Sequence, residues 1–177
     1  ELLNRAPLEY FVIVDPAKTV NPTSAQTAIV GIGVDRNSHM VVVRDVDAGY
    51  YTPDEMINRA FMMCKQLGAR VLGVEVTSLN EFITQPIRNE MFKRGEFYEL
   101  IELKARAKKE DRIAKMVSYY RQGYVYHLSG GVCDALESQL LSFPYSKLWD
   151  VMDATAYFIE MLDLGERYFE PPDSEDP

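Results

Sequence analysis

Two acidic residues, Asp15 and Glu75, stand at the ends of apolar runs that are typical of buried strands. Asp15 follows the β-branched run at residues 10–14 and precedes Pro16, which lacks an N–H and stops a strand ladder. Glu75 lies near the end of residues 71–76, which are otherwise Val, Leu and Gly. A charged side chain in such a run is rarely buried without a partner. For Asp15 alone, the simpler interpretation is an Asp that starts a turn.

A second pair of acids, Asp150 and Asp153, occurs near the start of the last helical pattern. Their spacing of three residues places both carboxylates on one face of a helix. For either residue alone, the simpler interpretation is an acid that complements the helix dipole.

The four acids together indicate a metal centre. If the strand of Glu75 is parallel to that of Asp15, both side chains emerge at the same edge of the sheet. Carboxylates gathered there repel one another unless a cation is present, and oxygen-only ligands suit Mg²⁺ or Mn²⁺ better than Zn²⁺. Two such ions, about 3.5–4 Å apart, activate water and stabilise a leaving oxygen in phosphodiester hydrolysis. The pattern therefore predicts that these acids are catalytic metal ligands.

Basic residues are concentrated in residues 104–115, which contain only two acids in a chain of net charge −8. Cations that contact the DNA backbone bind without reading bases. We predict DNA contacts from this segment and from Lys18, which is close to Asp15: Lys18, Lys104, Arg106, Lys108, Lys109 and Arg112. Lys115 is more typical of a solvated helix face, and Lys18 has the alternative of neutralising a carboxylate.

The chain has the length and apolar content of a single domain, predicted at residues 1–165. The acidic, Pro-rich residues 166–177 are predicted to be a disordered tail. Cys64 and Cys133 fall in apolar helical patterns and are predicted to be buried free thiols, with a single disulfide as the alternative. The sequence contains no signal peptide or transmembrane run, so no membrane partner is expected.

The elements that position the acids begin with three strands on short links, at residues 10–15, 27–34 and 39–46, which predict an antiparallel meander. A helix then starts at Thr52, where Glu55 completes a capping box, and ends at Gly68. Further strands are predicted at 71–76 and 97–103, and further helices at 79–94, 108–122, 132–143 and from about 149 to 165, with a short extended piece at 124–128. Alternating helices and strands predict parallel pairing. The expected α/β fold is a mixed five-stranded sheet with helices on both faces and the first strand central.

This order of acids resembles the ribonuclease H-like nuclease superfamily. Residues 14–16 and 150–154 resemble the first and last motifs of RuvC-type Holliday junction resolvases. The likeness is closer to the nuclease domain of the large terminase subunit of tailed bacteriophages. It covers about residues 10–162 and rests on short segments at residues 109–113, 123–126, 136–140 and 143–144.

The resemblance implies a metal-dependent endonuclease that cuts concatemeric viral DNA during genome packaging, with Mg²⁺ or Mn²⁺ as a two-ion cofactor. It also implies the host cell cytoplasm as the location, and the terminase ATPase domain, the small terminase subunit and the portal protein as partners. No Gly-x-x-x-x-Gly-Lys-Ser/Thr motif occurs, so the chain is expected to be the nuclease half alone. Trp149 stands where many terminases carry an adjacent acid, which leaves the third ligand open between Asp150 and Asp153.

Two alternatives remain open on the sequence. The first is a junction resolvase of the same superfamily, which would prefer branched to linear DNA. The second is a non-catalytic module that uses this fold to dock onto the portal or another partner, which would bind no divalent ion.

Overall fold

The computed structural model describes residues 8–17, 25–77 and 81–165. The strands are β1 (Leu8–Asp15), β2 (Thr27–Asp35), β3 (Val41–Gly49), β4 (Val71–Glu75), β5 (Glu99–Leu103) and β6 (Val125–His127). The helices are α1 (Pro53–Leu67), α2 (Thr84–Arg94), α3 (Lys109–Arg121), α4 (Asp134–Ser142), α5 (Asp150–Ala156) and α6 (Phe158–Gly165), with a 3-10 turn at Glu81–Ile83 before α2. None of the helices in these ranges has the length and apolar content needed to cross a bilayer.

The strands form one mixed sheet in the order β5-β4-β1-β2-β3-β6. β1, β2 and β3 are the antiparallel meander, whereas the β1–β4, β4–β5 and β3–β6 pairs are parallel. The predicted α/β class, the meander and the central place of β1 are therefore confirmed. The predicted number of five strands was wrong. The short extended piece at 124–128 contributes a sixth strand, which three residues of β6 form against the start of β3.

Helices cover both faces of the sheet because successive residues of a strand point to opposite sides. Val12 and Val14 of β1 face α1 and α2 in one apolar cluster, where Phe61 and Ile87 are fully or almost fully buried. Phe11 and Ile13 face the other cluster, which includes residues of α3, α4, α5 and α6. We call these the α1 face and the α5 face.

Local signals define α1 closely. The Thr52 side chain accepts a hydrogen bond from the Glu55 N–H, and the Glu55 side chain accepts one from the Thr52 N–H, as expected for a capping box. At the other end Gly68 adopts φ 67°, a left-handed conformation that glycine reaches without steric cost.

The last helical segment is two helices and not the single one predicted. The Thr155 hydroxyl donates to the Val151 carbonyl at 2.7 Å, a back-bond that often bends helices. The Tyr157 N–H then bonds to the Ala154 carbonyl, three residues back, and α6 begins at Phe158. All seven residues of α5 are buried, including both acids.

The two cysteines are buried free thiols, as predicted, and lie on opposite faces of the sheet. Lys18 and residues 166–177 lie outside the described residues, so the predictions of a DNA contact for Lys18 and of a disordered tail stay predictions.

Candidate active site

Asp15 and Glu75 lie side by side because of the register of the two strands that carry them. β1 and β4 are parallel, and Val14 pairs with Val74, so the next residue on each strand is the acid. Both side chains point to the α5 face, since Val14 and Val74 belong to the cluster on the α1 face. The sequence prediction that these acids emerge together at one sheet edge depended on a parallel β4, and β4 is parallel.

The two carboxyl groups are hydrogen-bonded to each other, and this pairing sets their protonation. Burial, the hydrogen bond to Glu75 and the charges of Glu75 and Asp153 all raise the pKa of Asp15 well above its usual range. Burial alone would also raise the pKa of Glu75, but the hydrogen bond from Asp15 and the neighbouring Tyr157 hydroxyl, with nearby cationic side chains, lower it overall. Without a cation, the pair therefore holds one proton, on Asp15.

Asp153 approaches this pair from α5. Burial raises its pKa, an effect that Lys109 and Arg112 oppose. Arg112 of α3 holds the carboxylate firmly: its Nη2 lies 2.7 Å and its Nε 2.9 Å from Asp153 Oδ1. The same guanidinium donates to the Ala107 carbonyl at 3.1 Å and lies over the Tyr157 ring, 4.3 Å from its centroid. Arg112 thus fixes where Asp153 stands.

Asp150 is held at the edge of the cluster. Its Oδ2 accepts a hydrogen bond of 2.9 Å from the Gln26 N–H, in the segment before β2. The Lys109 ammonium lies between the two helical acids, 3.7 Å from Asp150 Oδ1 and 3.3 Å from Asp153 Oδ2. Since Trp149 is the N-cap residue of α5 and makes no side-chain cap, Asp150 serves its neighbours in the fold and not its own helix end.

The donor set fits a hard divalent cation, although the carboxylates do not surround one position as they stand. Within residues 8–17, 25–77 and 81–165, no three His, Cys, Asp or Glu side chains form a metal-binding group. Two structural facts account for this: Lys109 and Arg112 hold Asp153, and a proton joins Asp15 to Glu75. Three buried carboxyls that need a proton and two cationic side chains for charge balance are the chemistry that Mg²⁺ or Mn²⁺ satisfies.

The basic segment divides into two groups. Lys104, Arg106 and Lys108 are exposed before α3, as a backbone-binding surface requires. Lys109 is half-buried among the acids, and the Arg112 side chain is only 12% exposed with its contacts going to the protein. Direct DNA contact by any of the five described residues stays a prediction.

Two residues of the site carried no sequence signal. Tyr157 had the spacing of a core residue, and burial and then the Glu75 charge raise the pKa of its hydroxyl. Gln26 lies in a polar loop, and only the fold brings its backbone to Asp150, far along the chain. Of the histidines, His127 pairs with the Tyr120 hydroxyl at 3.3 Å and His39 lies in the turn after β2, away from the four acids.

No family model and no curated protein matches the chain. Solved structures do. The P22 large terminase nuclease domain is similar with a TM-score of 0.61 and 14% identity over 90% of this chain and 84% of that one. The large terminase of a thermophilic bacteriophage gives 0.57 and 11% over 87% of this chain, which spans only 40% of that protein.

A third similar structure is the fowlpox virus Holliday junction resolvase, with a TM-score of 0.54 and 13% identity over 88% of this chain and 99% of that one. These likenesses agree with the mixed sheet, its parallel and antiparallel pairs and its two helical layers. The chain therefore has the ribonuclease H-like fold, which it shares with the nuclease domains of phage large terminases and with a viral junction resolvase.

Proposed function

We propose that this chain is a divalent-metal-dependent endonuclease that hydrolyses phosphodiester bonds in double-stranded DNA. One observation carries the proposal: Asp15 and Glu75, buried side by side at the ends of two parallel strands, share a proton beside Asp153. Such a cluster is costly to fold and has no packing role that an apolar side chain would not serve better. A site for a cation explains why it is there.

The residues have distinct roles in this proposal. Asp15, Glu75 and Asp153 hold the metal, and Asp150 belongs to the same acidic group through Lys109. Bound Mg²⁺ or Mn²⁺ supplies Lewis acidity for activating water and stabilising the leaving oxygen. Arg112 fixes the rotamer of Asp153 by two hydrogen bonds. The Asp15–Glu75 pair releases its shared proton on metal binding, and Lys104, Arg106 and Lys108 hold the DNA backbone.

The likeness to the two phage terminases supports a finer proposal, that the DNA is concatemeric viral DNA cut during packaging. Double-stranded DNA, the terminase ATPase domain, the small terminase subunit and the portal protein are then the partners, in the host cell cytoplasm. The chain spans less than half of the terminase from the thermophilic bacteriophage, so this role concerns a larger assembly.

Plasmid cleavage tests the proposal directly. Supercoiled plasmid should be nicked and linearised with Mn²⁺ or Mg²⁺ and remain intact with a chelator. Asp15→Asn and Glu75→Gln should remove cleavage while the melting temperature stays at or above that of the parent. Mn²⁺ should raise the melting temperature of the parent but not of either variant, because only the parent binds the ion. A parent that neither cuts DNA nor responds to the ion would instead be a docking module.

A second candidate is a Holliday junction resolvase, which the likeness to the fowlpox virus enzyme along 99% of its length supports. A four-way junction and a linear duplex of the same sequence separate the two. Cleavage of the junction alone would favour the resolvase, whereas comparable cleavage of both favours the terminase-type nuclease.

A further inference from the structure

A polar groove adjoins the acidic cluster on the side opposite the basic segment. It lies between α4 and the segment that joins α4 to α5, and has a cavity volume of about 470 Å³. The lining residues that could donate hydrogen bonds are Gln26, Ser138, Ser142, Tyr145, Ser146 and Lys147. We call this the α4 groove.

The composition of the α4 groove is unusual for this protein. Within the described part of the chain, no Asp or Glu lines it, although the whole chain carries a net charge of −8. Its lining combines hydroxyls, an amide and the single ammonium of Lys147. Such donors suit a phosphodiester backbone, since hydroxyl and amide side chains make many of the contacts of proteins to phosphate and sugar.

The groove is directly connected to the site. Gln26 lines it, and the Gln26 N–H is the hydrogen-bond donor to Asp150 Oδ2 at 2.9 Å. A strand that lies in the groove would therefore reach the acidic cluster within one residue of protein.

The walls of the groove are held in place. The Ser146 hydroxyl donates to the Gln139 carbonyl at 2.6 Å, and the Trp149 indole N–H donates to the Ser146 carbonyl at 2.9 Å. The Gln139 side chain in turn accepts from the Met152 N–H of α5 at 3.0 Å. The groove and the helix that carries both acids are thus one rigid unit, and Tyr145, 91% exposed, stands at its rim with a face open for stacking.

We propose that the α4 groove binds the sugar–phosphate backbone of the DNA strand adjacent to the cleaved bond. The inference rests on the proposed nuclease function and adds to it a second binding flank. The basic segment before α3 holds DNA on one side of the acids by charge. The α4 groove holds it on the other side mainly by neutral hydrogen-bond donors.

The test places negative charge on the floor of the groove. Ser138 and Ser142 are exposed on one face of α4, four residues apart, and the variant Ser138→Asp/Ser142→Asp adds two charges there. The matched control is Gln85→Asp/Asn89→Asp, which adds two charges at the same spacing on α2, on the other face of the sheet. Single-turnover cleavage of a linear duplex and of a four-way junction with Mn²⁺ is measured against protein concentration.

The groove variant should raise the half-saturating protein concentration about tenfold, with the maximal rate and the melting temperature unchanged, because it repels the backbone without touching the acids. The control should change neither. Should the double variant fail to fold, Lys147→Ala replaces it. Its binding should lose about one unit of salt slope, while Lys65→Ala on α1 should lose none.

The outcomes separate the two proposals. A parent that cuts DNA, together with groove variants that match it, would overturn the groove and leave the nuclease standing. A fall in maximal rate at unchanged half-saturation would also overturn the groove, since it would mean an effect on the acids. A shift with the junction alone would do the same, because the backbone is common to both substrates. A parent that cuts neither substrate would overturn the nuclease and the groove together.

Discussion

The two faces of the sheet are built by opposite rules. On the α1 face, the helix has both ends capped and the buried residues are apolar, with Phe61 packed on Tyr98 at 5.1 Å between ring centroids. On the α5 face, a helix of seven residues has no side-chain cap and buries two carboxylates among cationic side chains.

The difference shows where stability and chemistry reside in this fold. Apolar burial on the α1 face adds to the free energy of unfolding, whereas gathered carboxylates on the α5 face reduce it unless they are paired. A single sheet joins the faces, so that the first can hold the second in place. Substitutions on the α1 face should therefore affect stability alone, and those on the α5 face should affect mainly activity.

The largest expected effect concerns Asp153 on the α5 face. Asp153→Asn should lower single-turnover cleavage on the order of a thousandfold, because the carboxylate lies beside Asp15 and Glu75. Asp150→Asn should cost less, since Asp150 contacts Lys109 and the Gln26 N–H. The double variant should be little worse than Asp153→Asn. The reverse ranking of the two single variants would assign the third ligand to Asp150.

On the α1 face, Phe61→Ala should lower the free energy of unfolding by about 3–5 kcal/mol, as expected when a fully buried ring leaves a cavity. Cleavage per folded molecule should not change. Denaturant titration gives the first quantity, and cleavage at a temperature where the variant is folded gives the second. A loss of cleavage in the folded variant would show that the two faces are coupled and would contradict the comparison.

The smallest effect is a pH dependence of stability in the metal-free protein. Because the pKa of Asp15 is raised on folding, the folded state keeps a proton that the unfolded chain releases. The free energy of unfolding should therefore fall as pH rises from the usual pKa of Asp through the raised one. For one proton the slope is at most about 1.4 kcal/mol per pH unit.

Asp15→Asn removes this proton and should flatten the slope over that range. Equilibrium unfolding in a chelator at several pH values measures it, and Asp54→Asn, an exposed acid in the first turn of α1, is the control. An equal slope in Asp15→Asn and the parent would show that the pair does not hold the proton.

The sequence predicted best what local signals determine. Thr52, Glu55 and Gly68 define both ends of α1 through hydrogen bonds within one turn, and the structure places α1 at Pro53–Leu67. The apolar runs around Asp15 and Glu75 gave the strands and the sheet edge at which both acids emerge, because the period of a strand is fixed.

What the sequence did not predict depends on distant contacts. Three residues of β6 are a strand only because β3 is beside them, and the break at Tyr157 comes from the packing of α5 and α6 on the sheet. The contact of Arg112 with Asp153 joins residues 41 positions apart, so its guanidinium resembled one more cation of a basic segment. Charge and spacing alone do not distinguish a cation that binds DNA from one that holds an acid.

The alignment of Asp15 with Glu75 has a consequence for insertions and deletions. Their meeting is set by backbone pairing of β1 with β4, while the whole of β2, β3 and α1 lies between them in sequence. Added or lost residues in the turns of that long excursion leave the pairing intact. Loss of one residue inside β4 turns Glu75 to the α1 face and puts an apolar side chain in its place. Related chains should thus differ freely in loop length and hardly at all in the length of these two strands.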